Sequence, residues 1–324
     1  MREIGYLQAV REAQYEELQR DPRVIVIGQD LRANVYGAAA GLLDEFGESR
    51  IRDMPTSETG GVGAATGAAM TGLRPIVDMT IASFMYVAFD QFANQVAKNR
   101  YMSGGRFDIP IVFRASMFYR GQTAAQHADR PYPLFMNVPG LKITVPSTPA
   151  DAKGLLKAAV RDPDPVIQFE DSLLWGAKGP VSDDPDLVVP LGVADVKREG
   201  SDVTVVAIAS GVRASLDAAE TLAAEGIEIE VIDPRSLVPF DWATVLASVR
   251  RTGRLVVVDP ATRTCSAASE IAATVTEEAF DALKAPIRRV TTPDVHAPFS
   301  PALEAGLYPD APKVVAAVRA VLGR

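Results

Sequence analysis

Short apolar runs and longer amphipathic stretches alternate along most of this chain. Val24-Ile-Val-Ile27, closed by Gly28, has the length and continuity of a buried strand. Pro75–Met79, Ile109–Arg114, Leu141–Val145 and Pro165–Glu170 read as further strands. Ile4, Leu7, Val10 and Leu18 fall near one helical face, and Asp21-Pro22 stops that helix. Gly63–Gly72 is nearly all small residues, which suits a helix packed closely against its neighbours. A long helix, roughly Met85–Tyr101, is predicted to end at Ser103-Gly104-Gly105, where glycine takes the left-handed conformation without penalty. Ala150–Val160 completes the helices of the first half.

After a Pro- and Asp-rich stretch, Gly179–Asp186, the alternation starts again. Val203–Ala209, Ile227–Ile232, Arg254–Asp259 and Ile287–Thr291 are predicted strands. Ser215–Glu225, Trp242–Arg250, Ala267–Leu283 and Pro312–Leu322 are predicted helices. Strand and helix in turn argue for an α/β fold of two doubly wound, mainly parallel domains. The expected division is a domain over 1–185, a connection over 186–200 and a second domain over 201–324.

Composition narrows the function classes. With 48% hydrophobic and 23% charged residues the chain is ordinary for a globular protein. A formal net charge of −8 gives no electrostatic footprint for nucleic acid or an anionic membrane surface. One cysteine, Cys265, excludes an intrachain disulfide and suits a reducing compartment. The apolar runs are too short to span a membrane, the one around Ile76–Phe89 being broken by Asp78, and no secretory apolar run follows Met1. The expected location is the cytoplasm.

The candidate chemistry concentrates in Asp53-Met-Pro-Thr-Ser-Glu-Thr-Gly-Gly-Val-Gly-Ala-Ala-Thr-Gly67. Glu58 stands there at a turn leading into a small-residue helix. Local pattern allows two readings. In one, Ser57 caps the helix and Glu58 is a first-turn partner of the helix dipole. In the other, Glu58 is a carboxyl kept partly dry by Ala, Val and Met neighbours and able to share a proton with a ligand nitrogen. Gly61-Val-Gly63-Ala-Ala-Thr-Gly67 has G-x-G-x-x-x-G spacing and follows a polar segment, so it does not match the dinucleotide fingerprint. Phe84 and Phe89, with Met85 and Tyr86, form either core or a platform for a flat ligand. His127 lies in the polar loop 119–130, after a strand and hence where α/β sheets hold ligands, whereas His296 reads as an ordinary loop residue. There is no G-x-S-x-G elbow, and two histidines with one cysteine do not make a conventional zinc site.

In order and spacing, several segments resemble the β subunit of thiamine-diphosphate-dependent 2-oxo acid dehydrogenases, the pyruvate, branched-chain and acetoin group. They include Pro55-Thr-Ser-Glu58, Gly72-Leu-Arg-Pro75, Asp90-Gln91, Tyr101-Met-Ser-Gly-Gly105, Ile109-Pro-Ile-Val-Phe-Arg114, Gln126-His127, Pro139-Gly-Leu-Lys142 and Val290-Thr-Thr-Pro-Asp-Val295. The resemblance runs from about Arg23 to Val321. It implies a pyrimidine-binding domain followed by a transketolase-type C-terminal domain, in an α2β2 heterotetramer. Glu58 would then exchange a proton with the cofactor's pyrimidine N1′, Phe84 would stack on the pyrimidine, and Thr80 would lie against the cofactor. His127 would orient the bound reactant or assist transfer to lipoamide. A potassium ion would sit near Ile111, Ala159, Val160, Asp162 and Asp164. The chain has no G-D-G…N segment, so Mg²⁺ and the diphosphate would be held by an α subunit, and a lipoyl-bearing acyltransferase would take the acyl group.

Some positions depart from the family pattern. Ala128-Asp129-Arg130 follows the histidine where a Ser is common, Gly28-Gln29-Asp30 replaces Gly-Glu-Asp, and Asp259 and Ser266 stand in place of Glu and Gly. The alternatives are the C-terminal half of a split transketolase, or another carboligating thiamine enzyme, and a non-catalytic assembly subunit of the same fold. The resemblance carries a direct expectation. The isolated chain binds thiamine diphosphate weakly or not at all, because the metal end of the site is elsewhere; tight binding by this chain alone in calorimetry would contradict it.

Overall fold

A computed structural model describes residues 1–35, 37–118 and 123–324. The strands, in chain order, are β1 (Arg2–Gly5), β2 (Val24–Gly28), β3 (Ile51–Asp53), β4 (Arg74–Ile81), β5 (Val112–Met117), β6 (Lys142–Thr144), β7 (Val166–Asp171), β8 (Lys178–Val181), β9 (Asp195–Arg198), β10 (Val203–Ala207), β11 (Ile229–Asp233), β12 (Ser236–Val238), β13 (Leu255–Thr262) and β14 (Arg288–Thr292). The chain forms two compact units. One comprises Met1–Phe118 and Leu134–Leu191; the other comprises residues 123–133 with Gly192–Arg324.

In the first unit the strands lie in the order β6-β7-β5-β4-β2-β3, every neighbouring pair parallel. A parallel sheet needs crossover helices on its faces, so its strands are apolar nearly throughout. Val24, Val26, Ile76 and Val112 accordingly lie in one core cluster with Val10, Leu18 and Leu156 from the flanking helices Tyr6–Arg20 and Pro149–Arg161. The chain moves outward from β2 to β3 and then returns to the other side of β2 at β4. The carboxyl ends of β2 and β4 therefore flank a topological switch point. There Gly28 lies so close to Asp78 that a Cβ at position 28 would come within 2.8 Å of the Asp78 Cβ.

The second unit repeats the scheme in the order β14-β13-β10-β11-β9. β10, β11, β13 and β14 are mutually parallel where they pair, and β9 is an antiparallel edge. Its core packs Val203, Val205, Val231, Val256 and Val258 against Leu222, Val314 and Val318. Among the described residues no helix is long and apolar enough to cross a membrane.

Local chemistry explains where the observed elements depart from those the pattern predicts. The first helix begins at Tyr6, and Ile4 belongs instead to β1, which pairs antiparallel with β8. That pairing turns part of the Pro- and Asp-rich stretch into a strand, and β9 lies within the expected connection 186–200. The fifth strand starts at Val112 rather than Ile109, since Pro110 has no N–H to give and the Ile109 N–H goes to the Pro163 carbonyl. The long helix expected over Met85–Tyr101 is three pieces: a 3₁₀ turn at Ala82–Tyr86, a π-helix at Gln91–Val96 and a short α-helix at Asn99–Met102. The widened turn carries Phe92, whose buried ring packs edge-on against Phe113 and Phe135, with centroids 4.6 and 5.3 Å away. The segment does stop at Gly104 and Gly105, with φ of 66° and 74°.

Asp21 ends the first helix as expected and also draws in Arg23, 2.7 Å away, and Arg74, 3.7 Å away. The Arg23 hydrogen bonds outweigh burial and lower its pKa from 3.8 to about 2. A folded-state value below the unfolded one means that the contact stabilises the fold above about pH 4 and is lost as pH falls through about 2. Asp21→Asn is expected to lower the thermal midpoint near neutral pH, with the gap to the parent chain closing over that acid range. Melting curves across the range check this, and a gap independent of pH would contradict it.

Candidate active site

The carboxyl ends of β2, β3 and β4 bring together Gln29, Glu58 and Thr80 from three separate stretches of sequence. Glu58 is the first residue of helix Glu58–Met70 and only 9% exposed. Gln29 Nε2, just beyond β2, donates to its Oε1 at 3.2 Å. That is the one side-chain hydrogen bond of Glu58 among the described residues, which leaves its second oxygen available to a ligand. Ser57 is the N-cap residue but does not cap the helix through its hydroxyl; its carbonyl accepts the first helical N–H, that of Gly61, at 2.9 Å. The small residues of the helix allow close contact. A Cβ at Gly61 would meet Met54 Sδ at 2.3 Å, and one at Gly63 would meet Gln91 of the π-helix at 3.2 Å.

Thr80 carries backbone strain. Its φ is +56°, a conformation that a β-branched residue rarely adopts, and it sits where the β4–β5 register shifts between Asp78 and Ile81. Asp78 stabilises the bend: its Oδ1 accepts the Thr80 N–H at 2.9 Å. The other oxygen of Asp78 takes Arg114 Nη1 at 3.0 Å, and Arg114 donates to both oxygens of Glu170 at 2.8 Å. Arg114 and Glu170 are 3% and 0% exposed. Burial alone would lower the Arg114 pKa, but Glu170 and Asp78 more than reverse this and hold the guanidinium charged. Just past the bend, Phe84 is half-buried in the 3₁₀ turn, while Phe89, also half-buried, packs at 5.6 Å on the buried ring of Phe135.

The five residues expected around potassium lie at the other end of these elements. Their oxygens already have internal donors. The Ile111 carbonyl accepts Val166 N–H at 3.0 Å, that of Ala159 accepts Asp162 N–H at 3.2 Å, and that of Val160 accepts Arg74 Nη1 at 2.7 Å. Lys142 bridges Asp162 and Asp164, at 2.7 and 3.1 Å, and Arg100 also pairs with Asp164. An added cation would have to use the remaining carbonyl lone pairs beside three positive side chains. Among the described residues no cluster of three or more His, Cys, Asp or Glu side chains could hold a metal.

His127 belongs to the second unit. It closes a turn in which its N–H reaches the Ala124 carbonyl at 3.4 Å, and it is partly exposed. Residues 119–122 of its loop lie outside the described residues. Sequence reasoning missed Gln29 as the partner of Glu58 and missed the Asp78–Arg114–Glu170 network. A signal existed for the network: Asp78 and Arg114 each break an apolar run and face each other in the β4–β5 register.

Residues 2–174 match the transketolase pyrimidine-binding domain and residues 192–314 the transketolase C-terminal domain. In this order the two define a transketolase-like thiamine-enzyme architecture. The chain is 44% identical to the β subunit of acetoin:2,6-dichlorophenolindophenol oxidoreductase from Bacillus subtilis, over 99% of this chain and 98% of that one. It is 43% identical to a pyruvate dehydrogenase E1 β subunit from Rhizobium meliloti, covering 97% and 69% of the two chains. Identity to the 2-oxoisovalerate dehydrogenase β subunit of Bacillus subtilis is 42%, covering 98% of each. A solved split-gene transketolase, described as an inactive β4 tetramer, superposes with a TM-score of 0.82 at 27% identity, over 99% of this chain and 98% of that one. The chain belongs to the family of β subunits of thiamine-diphosphate-dependent acetoin and 2-oxo acid dehydrogenases.

Breaking the buried charge network has a definite expected result. Arg114→Met leaves the Glu170 carboxyl in the core without its cationic partner, at a cost of about 3–5 kcal/mol. Urea unfolding measures the loss, and a change below about 1 kcal/mol would show that the network is dispensable to the fold.

Proposed function

We propose that this chain supplies the pyrimidine-binding half of the active site in a dehydrogenase acting on acetoin or a 2-oxo acid. The observation that carries the reading is the carboxylate of Glu58, buried at the switch point, held on one oxygen by Gln29 and free on the other. Thiamine diphosphate, when bound, would supply a carbon nucleophile that adds to the substrate carbonyl. The free oxygen of Glu58 would face the pyrimidine N1′ and hold or release a proton there. Gln29 would keep the carboxyl from turning away. A glutamine at position 58 could hydrogen-bond the same nitrogen but could not exchange a proton. Phe84 would cover one face of the pyrimidine, and the bend at Thr80 would bring main chain against the cofactor. His127 would orient the reacting group or assist its transfer.

The diphosphate and its Mg²⁺ would be gripped by an α subunit in an α2β2 assembly, since this chain has no G-D-G…N segment. A lipoyl-bearing acyltransferase would receive the acyl group, in the cytoplasm. Any bound potassium would use the second lone pairs of the Ile111, Ala159 and Val160 carbonyls. Both acetoin-enzyme relatives, at 44% and 45% identity, favour acetoin as the first substrate to test.

The test is dye reduction by the reconstituted α–β pair with acetoin, pyruvate and branched 2-oxo acids in parallel. Ketose phosphates form a further arm, because a split transketolase shares the fold. Glu58→Gln is expected to lower turnover by at least ~100-fold, the usual scale for a positioned acid–base group. Undiminished turnover would favour a non-catalytic assembly role, and turnover of ketose phosphates alone would favour a transketolase.

A further inference from the structure

We infer that Tyr132 and Asp259 are positioning residues for His127, holding the stem of its loop against the carboxyl end of β13. The inference rests on the role given to His127 above. Asp259 is fully buried where the β13–β14 register shifts, between Asp259 and Thr262. Its Oδ1 accepts the Ala261 N–H at 2.9 Å, and its Oδ2 accepts the Ala268 N–H at 2.9 Å, in the first turn of helix Ala267–Ala279. Tyr132, also fully buried, donates its phenolic hydrogen to Oδ1, and its oxygen accepts from Ala261 N at 3.2 Å. One carboxylate thus joins a strand end, a helix N-terminus and the loop stem. Burial raises the pKa of both groups, and their mutual hydrogen bond keeps the proton on Tyr132.

A second anchor lies two residues nearer the histidine. The Arg130 guanidinium stacks over the Tyr308 ring with its carbon 4.6 Å from the centroid, and Arg130 Nη1 donates to the Ala128 carbonyl at 2.7 Å. Ala128 and Arg130 are 6% and 8% exposed, while His127 itself remains partly open to solvent. The stem from Ala128 to Tyr132 is therefore fixed by packing and hydrogen bonds immediately after a residue proposed to meet the reactant. Such support is what a reactive side chain on a loop requires, because a displacement of about 1 Å can reduce a rate ~100-fold. Ala128-Asp129-Arg130 and Asp259, which depart from the family pattern, make up most of this anchor.

The experiment is a double-mutant cycle in the reconstituted α–β complex. His127→Ala, Tyr132→Phe and the double variant are compared for kcat and KM, alongside thermal midpoints. Tyr132→Phe removes a single oxygen and leaves Asp259 its two backbone donors, so it carries the test; Asp259→Ala serves as a second probe if it folds. The expected result is a 10- to 100-fold loss of kcat in Tyr132→Phe with KM nearly unchanged, and no further loss when the same change is made on His127→Ala. Equal losses in the two backgrounds would overturn the inference while leaving the role of His127 standing. Full turnover by His127→Ala would overturn the role itself and the inference with it.

Discussion

A positive charge buried beneath the carboxyl edge of the first sheet sets the geometry that the rest of the proposed site uses. Arg114 takes both oxygens of Glu170 and one of Asp78, and the remaining oxygen of Asp78 holds the main chain at Thr80 in a left-handed conformation. A buried ion pair is weak evidence for net stability, since desolvation offsets much of its attraction. Its value here is geometric. With both partners fixed on neighbouring parallel strands, the bend at Thr80 has one orientation, and the turn bearing Phe84 starts from a defined point. Strain of this kind persists only where surrounding bonds over-determine it, and the aspartate between the guanidinium and the Thr80 N–H does so.

The device recurs. Asp78, Asp171, Asp233 and Asp259 stand at or near the ends of β4, β7, β11 and β13, and each accepts the N–H of the residue two positions on, at 2.9 to 3.0 Å. An aspartate in that position satisfies an N–H that leaves the ladder and turns the chain out of the sheet. Two of the residues so held, Thr80 and Arg235, have positive φ. Doubly wound sheets commonly place ligands beyond their carboxyl edges, and these aspartates shape the chain at that edge.

Much of this was legible in the sequence, and the boundary of legibility has a physical basis. The strands Val24–Gly28, Val203–Ala207 and Leu255–Thr262 are continuous apolar runs, as strands buried on both faces must be, and the pattern located them within a few residues. Glu58 stood out as a charge at the mouth of a small-residue helix. What could not be read was the long-range partner of each charge: Gln29 lies 29 residues from Glu58, and Tyr132 lies 127 residues from Asp259. Likewise, Met85–Tyr101 read as one helix because its pieces follow one another closely, a 3₁₀ turn, a π-helix and a short α-helix, and the sequence does not mark where the hydrogen bonding changes. The π-helix is where Phe92 is buried against Phe113. Ser57 shows the reverse case, since residue type suggested a side-chain cap that its hydroxyl does not make.

Asp78, partly buried, and Asp259, fully buried, both stand where a parallel register shifts but are stabilised in different ways. Asp78 faces a guanidinium, so its charge is compensated and its position is set by a rigid, directional ion pair. Asp259 meets neutral donors, a phenol and two backbone N–H groups, and burial raises its pKa. Such a carboxylate is held chiefly by hydrogen bonds, with the Arg130 charge as a smaller contribution, and each missing donor leaves more of its charge uncompensated in a dry environment. The phenol of Tyr132 therefore matters beyond its own bond: removing it loosens the loop stem and also weakens the group that ties β13 to the following helix. The first unit fixes its bend with charge, whereas the second fixes its loop with a hydroxyl that a single oxygen deletion removes.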